Sequence, residues 1–281
     1  MKDRGLGETP KNLILPHTLR MVAWEVTRSC NLACVHCRAS AVGGPYAGEL
    51  DTEQCRQLLD EIADVGKPVV ILTGGEPLLR PDVYEIAAYG DQKGLRMVLA
   101  TNGTLVDGEV AAKLIRSGIR RVSVSIDGPD AESHDAFRGG PGAFAGAMTG
   151  IEAMKRAGLE FQINTTITRA NLPRIRQLHD LAHDLGAAAH HIFLLVPTGR
   201  GKELAGQSIS ALEYEKTLDW FYEMELTCAM QLQATCAPHY HRILHQRRRE
   251  KQGAEKTPKP EPVAASAGKP PEVRNGGHPL H

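Results

Sequence analysis

Three cysteines fall within eight residues, Cys30, Cys34 and Cys37, with the spacing C-x3-C-x2-C. Cysteines clustered this tightly, outside a disulfide-rich secreted scaffold, read as a metal or redox site before they read as disulfides. Three thiolates on one loop can hold three irons of a [4Fe–4S] cubane and leave the fourth iron open to an outside chelating ligand. Two blander readings stand beside that one. His36 lies between two of the cysteines, so a Cys3His zinc knuckle is conceivable, although a second C-x2-C or H-x3-H partner is missing and structural zinc needs four ligands in closed geometry. The third reading is unrelated buried thiols.

The rest of the chain must position that loop. From Leu19 to about Leu195 short apolar, β-branched runs alternate with amphipathic stretches. The periodicity predicts strands at 21–26, 69–73, 96–100, 121–126, 161–167 and 191–196 and helices at 52–65, 83–89, 110–117, 143–157 and 172–185. Gly66, Gly94, Gly118, Gly158 and Gly186 read as helix stops, each just ahead of the next strand. Strands alternating with helices imply βα units and a parallel sheet. Six units are too few for a closed eight-stranded barrel, so the expected fold is α/β, a partial (βα)6 TIM-like barrel open on one side. Function in such barrels gathers at the C-terminal strand ends. The loops there begin at Thr27, Thr73, Thr101, Asp127, Thr168 and Pro197, and the cysteine triad occupies the first of them.

The expected organisation is an N-terminal segment 1–18, the partial barrel 19–209 and a C-terminal helical extension 210–249, followed by 250–281 without stable structure. The extension holds a helix at 211–226, a short added strand at 231–236 and a basic helix at 241–249. The stretch from Glu250 is rich in Pro, Gly, Ala and Lys and poor in large apolar residues. With 33 basic and 33 acidic residues the formal charge is zero, which gives nucleic-acid binding no support. No apolar run reaches the length of a membrane span, and the N-terminus lacks the plan of a secretory signal, so a cytoplasmic location is expected.

On these residues the chain resembles the radical S-adenosylmethionine (SAM) superfamily, from about Leu19 to Arg200 and more weakly to Arg249. The resemblance implies that the open iron chelates SAM through its amino and carboxylate groups and passes it an electron. It also gives the later loops roles. Thr73, Gly74, Gly75, Glu76 and Pro77 look like the segment that binds the SAM amino group, with Glu76 able to accept from an ammonium. Asn102 lies in a Thr-Asn-Gly turn beside the site, Ser125 and Asp127 end the strand that reaches the ribose or carboxylate, and Asn164 with Thr166 is polar within an apolar run. Val196 and Arg200 end the sixth strand near the adenine, where Arg200 can instead meet a substrate carboxylate.

The text around these motifs, including Trp24 to Cys34, Ser125 to Pro129 and His191 to Arg200, resembles the heme b synthase branch of that superfamily. The implied reaction is oxidative decarboxylation of two propionates of iron-coproporphyrin III to vinyls. Other tetrapyrrole or peptide maturases are the alternatives, and a non-catalytic metal-binding module is the alternative of another class. No side chain is needed as acid or base, only cationic clamping of propionates, for which Arg28, Arg38, Arg138 and Arg200 are candidates. His36, His134, His191 and His239 are candidate ligands to the porphyrin iron. A reductant such as ferredoxin or flavodoxin is implied. A second [4Fe–4S] cluster is expected in the family, but only Cys55, Cys228 and Cys236 remain for it, which implies that the chain is a truncated product.

Overall fold

The computed structural model describes residues 19–256. Seven strands form one all-parallel sheet in sequential order: β1 (Met21–Thr27), β2 (Val69–Gly74), β3 (Arg96–Thr101), β4 (Val122–Ser125), β5 (Phe161–Ile167), β6 (Ala189–Leu194) and β7 (Gln231–Thr235). A helix follows each of the first three strands: α1 (Thr52–Val65), α2 (Val83–Gln92) and α3 (Gly108–Arg116). Two follow β4, α4 (Ala131–Arg138) and α5 (Ala143–Ala157); α6 (Ile175–Asp184) follows β5, and α7 (Ala211–Thr227) follows β6. The partial barrel is therefore as expected, and the added strand extends it by pairing with β6 in parallel, from Ala189 beside Gln231 to Phe193 beside Thr235.

Local chemistry explains the element boundaries. Asp51 and Gln54 form a reciprocal capping box at the start of α1 (2.9 and 3.0 Å), and Ser210 with Glu213 does the same for α7. Asp107 and Asp130 cap α3 and α4 through the backbone N–H groups of Val110 and Ser133. The core lies between sheet and helices, where Leu72, Met97, Leu99, Val122, Val124 and Ile163 meet Leu59, Ile86, Leu114, Ile151 and Met154. Cys55 is packed in this layer, as expected of a lone thiol in a helix.

Three expectations shift. β6 starts two residues earlier than the apolar run places it, because Ala189 and His190 are already in the ladder. α4 was not expected at all: its buried residues are His134 and Arg138, so it has no apolar stripe to read. The basic helix, α8 (His239–Lys256), runs on into the stretch from Glu250 that was expected to lack structure. The calls on 1–18 and on 257–281 lie outside the described residues. Contacts divide the chain at Ile243. Within the second unit the described part is the remainder of α8, where Arg247 and Glu250 pair at 3.3 Å. No helix among the described residues is long and apolar enough to cross a membrane.

Candidate active site

The cysteine loop follows β1 and is held by four other strand ends or the loops after them. From β2, the Gly75 N–H donates to Thr27 O (2.8 Å) and the Glu76 N–H to Ser29 O (2.7 Å). A Cβ on Gly75 would stand 2.3 Å from Ser29 O, so only glycine permits the approach. From β3, Asn102 Nδ2 donates to Asn31 Oδ1 (2.8 Å), and Asn31 Nδ2 to Thr104 Oγ1 (2.8 Å), which fastens the residue next to Cys30. Beyond β4, the end of α4 docks on the loop: the Val35 N–H donates to Phe137 O (3.1 Å), and the His36 ring stacks on Phe137 with centroids 4.3 Å apart. After β6, the Arg200 N–H donates to Cys37 O (3.0 Å), Arg200 Nε to Cys34 O (3.0 Å) and Arg200 Nη1 to Ala41 O (2.7 Å).

The thiols receive donors of their own. The Leu32 N–H points at Cys30 Sγ (3.4 Å), the Ala41 N–H at Cys37 Sγ (3.3 Å) and Arg138 Nη1 at Cys34 Sγ (3.8 Å). Burial pushes the Cys30 thiol up, and nearby Glu76, Cys34 and Cys37 push the same way. A metal bound there would have to displace the thiol proton. Three donor-capable nitrogens on residues around the loop, His36 Nδ1, Arg138 Nε and Arg200 Nη2, are buried without a partner. Such atoms are costly unless an acceptor is present. A thiolate-ligated cluster is an anionic group of that kind, and the donor set fits it. A single zinc fits less well. It draws its ligands to about 2.0–2.3 Å, and no three His, Cys, Asp or Glu side chains among the described residues converge on one ion position. A cubane instead takes each thiolate on a separate iron.

The strand register defines the face available to a ligand. On β5, Phe161 and Ile163 enter the helix-side core, so Gln162, Asn164 and Thr166 point to the opposite, inner face of the open barrel. Ser123 stands beside Gln162, Ser125 beside Asn164, and Asn164 beside His191. Gln162 Nε2 joins the patch, donating to Asn164 Oδ1 (2.9 Å) and meeting His191 Nδ1 (3.1 Å). Burial lowers His191 to about 4. The polar run on β5 is therefore a barrel-lining face.

The expected ligand contacts separate into two groups. Ser125 and Asn164 are half-buried on the inner face, Gly74 and Gly75 are half-buried beside the loop, and Val196 is 53% exposed just past β6. Glu76, Asn102, Asp127 and Arg200 are instead committed to the protein. Glu76 is fully buried and accepts from the Leu78 N–H (3.1 Å), Thr101 Oγ1 (2.8 Å) and the Asn102 N–H (2.8 Å). Burial raises its carboxyl to about 6 against those hydrogen bonds. Asp127 pairs with Arg138 and accepts from the Thr166 N–H (2.6 Å); burial opposes its ionisation most, but Arg138, His36, His134 and the Thr166 N–H together hold it low. Glu76 and Asp127 thus fix the loops on which the expected ligand contacts sit, and Arg200 fixes the cysteine loop.

Of the four candidate clamping arginines, Arg138 is buried, Arg200 is the strut just described, and Arg28 and Arg38 remain exposed. Arg28 lies over the Tyr46 ring at 4.8 Å and Arg38 pairs with Glu25. Among the candidate histidines, His134 accepts the Asp127 N–H at Nδ1 (3.2 Å) and is lowered to about 4 by burial; His239 meets the Tyr214 ring, and His191 alone of the four lies on the inner-face patch. Sequence reasoning missed Arg80. It ties Val26 O, Leu50 O and Asp82 together (2.8, 2.8 and 2.7 Å), bracing both ends of the long segment that carries the cysteines. Its partners lie up to 54 residues away, so no local pattern announces it.

Comparison with known proteins gives a concordant result. The sequence profile of the Radical SAM superfamily matches residues 24–182. The AdoMet-dependent heme synthase of Oleidesulfovibrio alaskensis is 53% identical over 89% of this chain and 66% of its own length. The AdoMet-dependent heme synthase of Nitratidesulfovibrio vulgaris is 56% identical over 86% of this chain and 65% of its own. The chain thus spans just under two thirds of those relatives. Among solved structures, native anSMEcpe with bound AdoMet and Cp18Cys peptide aligns with TM-score 0.59 at 20% identity, over 76% of this chain and 63% of that one, which is a likeness of fold.

Proposed function

The chain belongs to the radical SAM superfamily, and on that premise we propose that it serves heme biosynthesis, removing two propionate carboxylates of iron-coproporphyrin III to leave vinyl groups. The observation that carries the radical-SAM part is the cysteine loop laced to four other parts of the barrel's top, beside an open polar inner face. The tetrapyrrole part is supported by relatives more than half identical whose name is AdoMet-dependent heme synthase.

Cys30, Cys34 and Cys37 would hold a [4Fe–4S] cluster, which supplies reductive cleavage of SAM to a 5′-deoxyadenosyl radical. The chain's own residues do the rest by holding and shielding. Gly74 and Gly75 present backbone to the SAM amino end, because Glu76 locks their turn from behind. Ser125 and Asn164 offer hydroxyl and amide groups on the inner face for the ribose and carboxylate, and Val196 offers apolar surface to the adenine. Arg28 and Arg38 are the cations left exposed for propionates. Each propionate would lose one hydrogen atom, carbon dioxide and one electron, the electron going to an external acceptor. A small reductant protein such as ferredoxin or flavodoxin supplies the initiating electron.

Anaerobic reconstitution should give a brown protein with about four irons per chain, as a cubane requires. With dithionite and SAM it should release 5′-deoxyadenosine, and Cys34→Ala should abolish that release. Iron-coproporphyrin III should then lose two carboxyl groups by mass spectrometry, with a full-length relative as the positive control. One zinc and no iron would sink the radical reading. 5′-Deoxyadenosine without decarboxylation, where the control succeeds, would leave radical generation standing and remove the tetrapyrrole assignment from this chain.

A further inference from the structure

α4 is only eight residues long, and its buried residues, His134 and Arg138, are polar. Arg138, its last residue, is 7% exposed and sits between two partners. Its Nη2 pairs with the Asp127 carboxylate, and its Nη1 lies 3.8 Å from Cys34 Sγ. A buried ion pair is a poor choice for stability alone, since burying both charges costs much of what their attraction returns. This one is also anchored by the backbone around it. Asp127 accepts from the Thr166 N–H of β5 (2.6 Å), so its carboxylate cannot swing away. Gly139, in the left-handed conformation at φ 73°, ends α4 where a Cβ would stand 2.3 Å from Ala33 O. The helix end therefore touches the cysteine loop backbone to backbone, and the guanidinium is delivered to one sulfur. The sequence marks nothing of this, because a buried Arg in a short polar helix resembles a surface residue.

We propose that Arg138, held by Asp127, is a positioning residue for Cys34: a buried cation aimed at one thiolate of the cluster, raising the potential at which the cluster accepts its electron. This rests on the reading of Cys34 as a cluster ligand. Reduction adds one negative charge to the cluster and its thiolates, and a desolvated cation a few ångströms away stabilises the added charge far more than water would. Asp127 takes Nη2 and Cys34 faces Nη1, so the sulfur meets the cation through a nitrogen of its own. Arginine suits the position better than lysine, since one planar fork must serve a carboxylate and a sulfur together. Hydrogen bonds and charges at cluster sulfurs are among the levers that set such potentials.

The test is a redox titration of the reconstituted chain, followed by visible absorbance and by the electron paramagnetic resonance of the reduced state. It is run only on preparations with matched iron and sulfide content. Arg138→Gln removes the cation. Because it also strands Asp127 in the interior, the double variant Asp127→Asn/Arg138→Gln is measured beside it, and Arg138→Lys restores charge without the fork. The expected result is that reduction of the Gln and double variants becomes at least tenfold less favourable at a fixed poise, about 59 mV downward for one electron. Arg138→Lys should recover most of the shift, and the resonance of the reduced cluster should change in the Gln variants. Potentials equal to the parent's in the fully loaded Arg138→Gln and double variants would overturn the proposal and leave Arg138 a packing residue. A parent chain that takes up no four-iron cluster would instead remove the reading on which the proposal rests.

Discussion

Glu76 illustrates how a residue that a motif marks for a ligand can be committed to the protein instead. Its carboxylate is buried and receives three protein donors, so its work is to hold the Gly74–Gly75 turn. Burial raises it from 4.5 to about 6. An acid whose folded value lies above its unfolded value favours folding in its protonated form. That contribution is full below 4.5 and is lost as pH rises through about 6, a change on the order of 2 kcal/mol. Glu76→Gln should therefore be less stable than the parent by a margin that shrinks between pH 4.5 and pH 7, read from paired urea or thermal unfolding. A margin independent of pH would show that the carboxyl does not titrate in that range. Arg200 makes a second prediction of this kind. Its side chain donates to Cys34 O and Ala41 O, and hydrogen bonds from a charged donor are worth about 1.5–3 kcal/mol each. Arg200→Ala should leave the barrel folded but loosen the cysteine loop by about 3 kcal/mol, seen as faster iron loss to a chelator. An unchanged rate of iron loss would mean that the other three anchors suffice.

At the scale of elements, the loops meet where side chains are absent. Gly199 has φ 55°, and a Cβ there would stand 2.1 Å from Arg38 O and 2.4 Å from Cys37 O. Gly199→Ala must push the segment after β6 away from the cysteine loop and carry Arg200 with it. Cluster loading should fall several-fold while far-ultraviolet circular dichroism stays near that of the parent; full loading would show that the loop yields cheaply. The elements themselves were largely legible. The apolar runs of β1, β2, β3 and β5 begin at Met21, Val69, Arg96 and Phe161, as the periodicity predicts, and α1 and α5 match their predicted ranges because apolar stripes and capping residues agree. Apart from the length of α8, what failed shares one cause, the burial of polar residues. α4 hides His134 and Arg138, the first residues of β6 include a buried His190, and the Glu76 and Asp127 carboxylates turn inward. Periodicity reads apolar burial, so polar burial is silent to it. The site behaves the same way. The cysteines declare themselves by spacing, whereas Arg80, Asn31 and Arg138 matter through partners 54, 71 and 104 residues distant.

Across the whole molecule the buried polar groups set its response to acid. His134 and His191 are lowered from 6.5 to about 4, and His190 to about 3, in each case first by burial. A histidine held below its unfolded value contributes stability that is full above 6.5 and is lost as pH falls towards the folded value, because the unfolded chain binds the proton first. Each adds a slope of up to about 1.4 kcal/mol per pH unit in that window. Glu76 opposes them with a single group between 4.5 and about 6, so the three histidines prevail. Domains are stable by about 5–15 kcal/mol, and such a slope removes that within a few pH units. The chain should unfold between about pH 4 and pH 6 with net proton uptake. His190 gives the sharpest test. Its Nε2 meets Thr165 Oγ1 (3.0 Å), but that hydroxyl already donates to Ile126 O (2.7 Å), and His190 Nδ1 is buried without a partner. His190→Leu keeps the volume nearly constant and removes an unsatisfied polar atom. It should change stability at pH 7.5 by no more than about 1 kcal/mol while moving the acid midpoint to lower pH and reducing proton uptake by about one. A variant that unfolds at the parent's midpoint would show that acid enters the fold elsewhere.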